Sequence, residues 1–362
     1  MTKKPQPTPE RTVSIVDVAA YAGVSISTVS NVLNGTKSVS DELRARVLQA
    51  VDELQYEANT LASGLKSGKT NTLCVIVPSI VSVFFPRVLR GMQTAAAQNG
   101  YSLTIYETGE DFEKERRTVQ TLKRLRADGV LLSTCCDPQE NAAYIDELTQ
   151  LSIGGKRIPV VFFEEAPREG LDAVIVDNKA ASREAAEHLL TIGRKNIAYI
   201  AAPMHRFMMG KKRYEGYLAA LLNAGLEPDA KLVREGDYTP QSGYREMRAL
   251  LNSGKPIDAV QCGNDQMAVG AVRALKEAGL RVPEDVAVMG FDNNFPGTLI
   301  DPPLSTVSVP KQGMGRAAVE LLLWRIAEGE NAPARTVKLE TSLLVRRSTD
   351  PNATSEWDLN DW

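Results

Sequence analysis

The chain has 362 residues, 43% of them hydrophobic and 24% charged, with a formal net charge of −3. These values are those of a soluble globular protein, and the length suggests two or three domains. The apolar runs are short, as in Leu73–Val77, against the ~18 residues or more of a membrane helix, so no membrane partner is expected. Total charge does not point to nucleic acid: even the first 69 residues carry eight Lys/Arg against seven Asp/Glu.

The N-terminus runs through Pro5, Pro7, Pro9 and Glu10 with no apolar stretch after Lys3 and Lys4. It reads as a leader without secondary structure, not as an export signal. Three short helices are then expected. Ser14 caps the first, with Asp17 three residues on, and Ile15, Val18, Ala19 and Ala22 form its apolar face. Gly23 ends that helix in a tight turn, and Ser25 caps the second, which turns Val29, Val32 and Leu33 inward and stops at Asn34-Gly35. Ser40 caps the third, whose buried stripe is Leu43, Val47, Val51 and Leu54.

From Asn71 the pattern changes to β-branched runs alternating with amphipathic stretches. Strands are expected at 73–78, 102–107, 129–134, 159–164, 173–177, 196–202, 232–237, 259–264, 286–291 and 305–309, with helices between most of them. Alternation of this kind means parallel sheets covered on both faces. Ten strands suit two adjacent doubly wound lobes better than one open sheet, with a ligand crevice beyond the strand ends. From Arg347 the sequence turns polar and acidic and reads as a tail; the sensor boundary is drawn at 350 and a flexible tail assigned to 351–362.

Cys74, Cys135, Cys136 and Cys262 show neither metal spacing nor a disulfide framework, and are expected to be buried thiols in a cytoplasmic protein. Gly68-Lys69-Thr70 lacks the spacing of a phosphate loop and precedes a strand instead of following one. Gly313-Met314-Gly315 lacks the third glycine of a dinucleotide fingerprint. With no serine elbow and only His188 and His205, neither an enzyme site nor a cofactor or metal is expected.

Two helices joined by a short glycine turn can form a helix-turn-helix, whose second helix enters the major groove. If Val29 and Val32 point inward, Ile26 and Ser27 point outward, with Asn31 one turn beyond on the same side. An Asn amide can pair with adenine and a Ser hydroxyl with several bases. On pattern alone an ordinary three-helix bundle is an equal alternative.

The stretches "VSIVDVAAYAGVSISTVSNVLNG" and "VSDELRARVLQAVDELQY" resemble the head of the LacI family of bacterial regulators, and the likeness continues to about Arg347. The resemblance implies an all-α helix-turn-helix head (13–58), a hinge helix or linker (59–69) and an α/β effector-binding and dimerisation domain (70–350). Each lobe of that domain would be a doubly wound, mainly parallel sheet of the periplasmic-binding-protein type. It implies base reading by Ile26, Ser27 and Asn31, where many relatives have arginine at the last position, with Ser25, Thr28 and Ser30 near the backbone. "NTLASGL", from Asn59 to Leu65, matches the family hinge, whose leucine (Leu65 here) wedges into the minor groove of operator DNA. Ala58, Ser63 and Gly64 depart from the usual Pro, Arg and Ser, and Gly64 adds roughly 1 kcal/mol of helix penalty.

In the sensor, "VQCGNDQMAVGAVRALKEAGLRVPEDVAVMGFDN" carries most of the likeness. It implies an effector site containing Asn264 and Asp292, with Arg213 of "RYEGY" forking onto the ligand. Phe84 and Phe85 of "IVSVFF", Glu164 ending "VVFFE" and Asp177 of "VIVDN" are the first-lobe candidates. The implied protein is a dimeric, cytoplasmic repressor of a palindromic operator, controlled by a sugar-like effector. A transport-type solute-binding protein would share the sensor fold but would need an export signal and no helix-turn-helix.

Overall fold

The computed structural model describes residues 13–34, 38–56, 69–125, 127–153, 155–204 and 208–354. The hinge residues Asn59 and Leu65 lie outside these, as does 355–362 of the expected tail. The chain divides into two compact units between Thr70 and Asn71.

The first unit holds α1 (Ile15–Ala22), α2 (Ile26–Asn34) and α3 (Asp41–Glu53). Ser14 and Asp17 close a full capping box: the Ser14 amide donates to Asp17 Oδ2 at 2.9 Å and the Asp17 amide to Ser14 Oγ at 3.4 Å. Gly23 ends α1 with φ 63°, and a Cβ there would come within 2.9 Å of the Arg46 guanidinium. That guanidinium donates to the Ala22 carbonyl at 2.6 Å, tying α3 to the end of α1. The axes of α1 and α2 turn through 104° across the break, within the range of a helix-turn-helix. Val18, Val29, Val47 and Ala50 form the centre of the small core.

The second unit opens with β1 (Thr72–Val77), α4 (Phe85–Gln98), β2 (Ser102–Glu107), α5 (Phe112–Leu125) and β3 (Gly129–Leu132). Next come α6 (Ala142–Thr149), the short pair β4 (Ser152–Ile153) and β5 (Lys156–Arg157), β6 (Val160–Glu164), β7 (Ala173–Val176) and α7 (Asn178–Thr191). β8 (Ile197–Ala201), α8 (Met208–Asn223), β9 (Val233–Glu235), α9 (Pro240–Leu251), β10 (Ala259–Cys262) and α10 (Asp265–Glu277) follow. The chain closes through β11 (Ala287–Asp292), α11 (Pro296–Leu299), β12 (Ser305–Ser308), α12 (Lys311–Glu328), β13 (Thr336–Leu339) and β14 (Ser342–Leu344).

Two six-stranded sheets result, in the orders β13-β7-β6-β3-β1-β2 and β14-β12-β11-β10-β8-β9. The first is parallel throughout, and in the second only β14 runs antiparallel. Central strands such as β3 and β8 are buried along their whole length, which is why they read as continuous apolar runs. All ten expected strands form, and α6, α11, β4, β5, β13 and β14 are additions.

The chain passes between lobes three times: at Asp177, where β7 leads to α7 of the second lobe; between β12 and α12, which packs back on α4, β3 and β6; and between β13 and β14. Gly91 and Gly315 let α4 and α12 meet, since a Cβ at Gly315 would stand 2.0 Å from the Val88 carbonyl oxygen. The Gly313-Met314-Gly315 run is therefore a packing feature. The tail expectation from Arg347 needs correction: Ser348 and Thr349 are buried, and Ser348 Oγ donates to the Val288 carbonyl at 2.6 Å. The last turns of the second lobe are thus sewn into β11, and all four cysteines are buried and unpaired with one another. Among the described residues no single helix is long and apolar enough to cross a membrane.

Candidate DNA-reading helix and effector cleft

Ser25 builds the start of α2. Its Oγ accepts from the Thr28 amide at 3.1 Å and lies 2.7 Å from Ser27 Oγ and 2.8 Å from Thr28 Oγ1. Val29 and Val32 fill the core behind this turn, which leaves Ile26 at 46% exposure and Ser27 exposed beside it. Thr28, Ser30 and Asn31 are half-buried. Ile26 lies in the first turn of α2, where a recognition helix meets base edges.

In the sensor a cavity of about 280 Å³ is lined by both lobes. It contains Phe84, Phe85 and Glu164 from the first lobe and Arg213, Asn264 and Asp292 from the second, six of the seven residues expected from sequence. Glu164 and Asp292 are the last residues of β6 and β11, and Asn264 follows β10 by two, so the crevice lies at the strand C-termini.

Asp177, the seventh, is not among the lining residues. It caps α7, accepting from the Ala180 amide at 2.9 Å, and pairs with Lys338 Nζ at 2.8 Å. This pair joins the first crossover to β13, just before the third, and together with the cap it holds the Asp177 carboxyl below the usual range. An acid at a strand end caps a helix terminus here.

Arg213 is fixed on the second-lobe wall. Nε donates to Asn178 Oδ1 at 2.8 Å, one terminal nitrogen donates to the Gly263 carbonyl at 2.6 Å, and the guanidinium carbon lies 3.7 Å from the centre of the Phe291 ring. The other terminal nitrogen stands 3.1 Å from Asp292 Oδ1, an ion pair lacking the alignment of a hydrogen bond. Burial pushes the Asp292 carboxyl up, while Arg213 and Lys311 pull it down. Lys311 itself donates to the backbone carbonyls of Asp292 (2.5 Å) and Asn293 (2.8 Å), so the first residue of α12 holds the floor of the cleft.

On the first lobe, Phe84 and Phe85 meet edge to face with centroids 5.3 Å apart. Ser133 Oγ donates to Glu164 Oε2, and burial raises the Glu164 carboxyl to about 7. The loop carrying Ser133 is braced by buried Glu115, which accepts from Thr134 Oγ1 (2.6 Å), the Cys135 amide (2.9 Å) and Tyr144 Oη (2.9 Å). Asn264 Oδ1 caps α10 by accepting from the Met267 amide at 2.9 Å, and its amide nitrogen donates to the Tyr238 carbonyl at 3.1 Å.

Four of the seven described non-glycine residues with positive φ line the cavity: Glu110, Glu164, Tyr238 and Asp292. Backbone strain of this kind gathers where function demands a side-chain direction that packing alone would not select. Sequence reading passed over Glu110, Met209, Asp237, Tyr238 and Gln266, which also line it. Only Gln266, two residues beyond Asn264 in the long motif, carried a signal that could have been used.

Comparison with known proteins bears directly on this pairing of head and cleft. The model of the bacterial regulatory proteins of the lacI family matches residues 14–59, and that of the periplasmic binding protein-like domain matches 186–349. The "HTH-type transcriptional repressor PurR" of Mannheimia succiniciproducens is 33% identical over 336 residues, 92% of this chain and 98% of that protein. The chain belongs to the LacI family. The "Ribose operon repressor" of Escherichia coli K12 is 35% identical over 314 residues, 86% of this chain and 92% of its own length. Among solved structures, the lac repressor dimer bound to operator and the anti-inducer ONPF is similar with a TM-score of 0.85 and 29% identity, covering 94% of this chain and 99% of that one. A CelR–cellobiose complex is similar at 0.68 and 33%, covering 93% and 99%. These LacI-family relatives are DNA-binding transcriptional regulators, not enzymes.

Proposed function

We propose that this LacI-family regulator represses transcription by binding a palindromic operator as a dimer, and that a small polyol in the sensor cleft controls its affinity for DNA. The observation that carries the reading is the union, in one chain, of an exposed α2 face at Ile26 and Ser27 with a cavity lined from both lobes by hydrogen-bonding side chains. Ile26, Ser27 and Asn31 read bases, while Ser25, Thr28 and Ser30 set register on the backbone. Asn59 and Leu65 supply the minor-groove contact between the two heads.

In the sensor, Arg213, Asn264, Asp292 and Glu164 hold ligand hydroxyls, and Phe84 and Phe85 cover an apolar ring face. The names of similar proteins favour a sugar-like effector, since they include a ribose operon repressor and a cellobiose complex. A ligand that binds both lobes shifts the population between open and closed sensors and changes operator affinity by about 1–3 kcal/mol. Such a protein works in the cytoplasm, where its DNA lies. Selection of bound sequences from a random duplex pool tests the DNA half: a two-fold symmetric site is expected, and an unsymmetrical or random pool would overturn it.

A further inference from the structure

We infer that the cleft is built for an ammonium-bearing polyol of the amino-sugar class, a refinement that rests on its being the effector site. Among the described residues, four carboxylates line the cavity, Glu110, Glu164, Asp237 and Asp292, against one cation, Arg213. Arg213 is already engaged: each of its three nitrogens faces an acceptor of the wall, at Asn178, Gly263 and Asp292. The nearest buried lysine, Lys311, is engaged by the Asp292 and Asn293 carbonyls and does not line the cavity.

Anionic ligands would therefore meet an excess of negative charge in a low-dielectric cleft, where the wall contacts of Arg213 leave it an N–H for a ligand hydroxyl but no free fork for a carboxylate or phosphate. An ammonium meets the opposite. Asp292 is 5% exposed, and its Oδ1, ion-paired with Arg213 at 3.1 Å, accepts no aligned hydrogen bond. Glu164, 6% exposed on the facing lobe, is in electrostatic reach of Asp292. A ligand N–H₃⁺ donates to both and relieves their mutual repulsion, while the Phe84–Phe85 wall accepts the C–H face of the ring or the cation itself. Hydroxyls of the same ligand are left for Asn264 and Gln266.

Isothermal titration of the full chain tests this with D-glucosamine, D-galactosamine and D-mannosamine. Each is paired with its parent hexose, its N-acetyl derivative and the matching uronic acid. At least one amine is expected to bind about tenfold or more tightly than its parent and its N-acetyl form, with no binding of the uronic acid. In Glu164→Gln, checked for native circular dichroism, that preference should shrink to within about threefold. A neutral sugar or a uronic acid binding as tightly as the amine overturns the inference and leaves the cleft an effector site. No binding by any of these compounds overturns the inference together with the sugar-like reading of the cleft.

Discussion

Lys212 of the second lobe reaches Glu165 of the first, Nζ to Oε1 at 2.7 Å, while their sequence neighbours Arg213 and Glu164 line the effector cavity. One pair of adjacent residues on each lobe thus joins the cavity wall to an inter-lobe ion pair. Beside it, Cys135 of the first lobe packs on Met209 of the second, with Phe112 and Tyr238 against them. Glu165 is 8% exposed, so losing its lysine leaves a buried carboxylate unpaired. Lys212→Ala should favour the open sensor and weaken effector binding about tenfold by titration calorimetry. The charge swap Glu165→Lys with Lys212→Glu should recover most of that loss; a swap no better than the single change would show the pair is incidental.

Arg213→Lys separates recognition from charge. Lysine keeps the cation but cannot serve Asn178, Gly263 and Asp292 together. Effector affinity should fall at least tenfold, with a lowered melting temperature from buried acceptors left unmet at about 1–3 kcal/mol each. Operator binding without effector should survive, since the change lies in the sensor. Both quantities are read on the same preparation.

The pH dependence of stability carries a signature of the cleft. Burial holds the Glu164 carboxyl near 7, above its ordinary 4.5, and that of Asp265 near 7, above 3.8. In that window the native state binds more protons than the unfolded state, so stability falls as pH rises from about 4 to about 7 and levels beyond. The slope is at most about 1.4 kcal/mol per pH unit for each group. Glu164→Gln should remove one share of it in urea titrations and leave the Asp265 share. An identical profile in the variant would contradict the assignment.

On the head, Gly23→Ala places a β-carbon at φ 63° and within 2.9 Å of the Arg46 guanidinium. The first unit should lose about 1 kcal/mol, measured by thermal unfolding. Asn31→Ala should cost about 1–3 kcal/mol on the selected operator and relax the base preference at one position per half-site. Leu65→Ala, outside the described residues, should weaken specific binding by more than about tenfold with little change on random DNA.

Much of this was legible in the sequence. The strands announced themselves because parallel strands buried on both faces are continuous apolar runs, as in Gly129–Leu132 and Ile197–Ala201. The capping box at Ser14 and the stop at Gly23 were local signals and are realised locally. β13 and β14 were not foreseen, because Thr336–Leu339 and Ser342–Leu344 are short edge strands of intermediate and exposed residues. Lys212 and Tyr238 were missed for a different reason: their roles depend on partners in the other lobe or another loop, which no local period encodes. Asp177 shows the converse: a capping acid and a cavity acid look alike in sequence, and the structure puts this one on a helix terminus beside Lys338, outside the cavity lining.

The central claim is that the cleft controls the head. Fluorescence anisotropy of the full chain on its selected operator, with and without the tightest ligand from the titrations, tests it most directly. Salt-dependent, selective binding that shifts by about fivefold or more with ligand, and stays unshifted in Arg213→Ala, is the predicted result. Selective binding that the cleft ligand leaves unchanged at saturation would contradict the account and reduce the two units to independent binders on one chain.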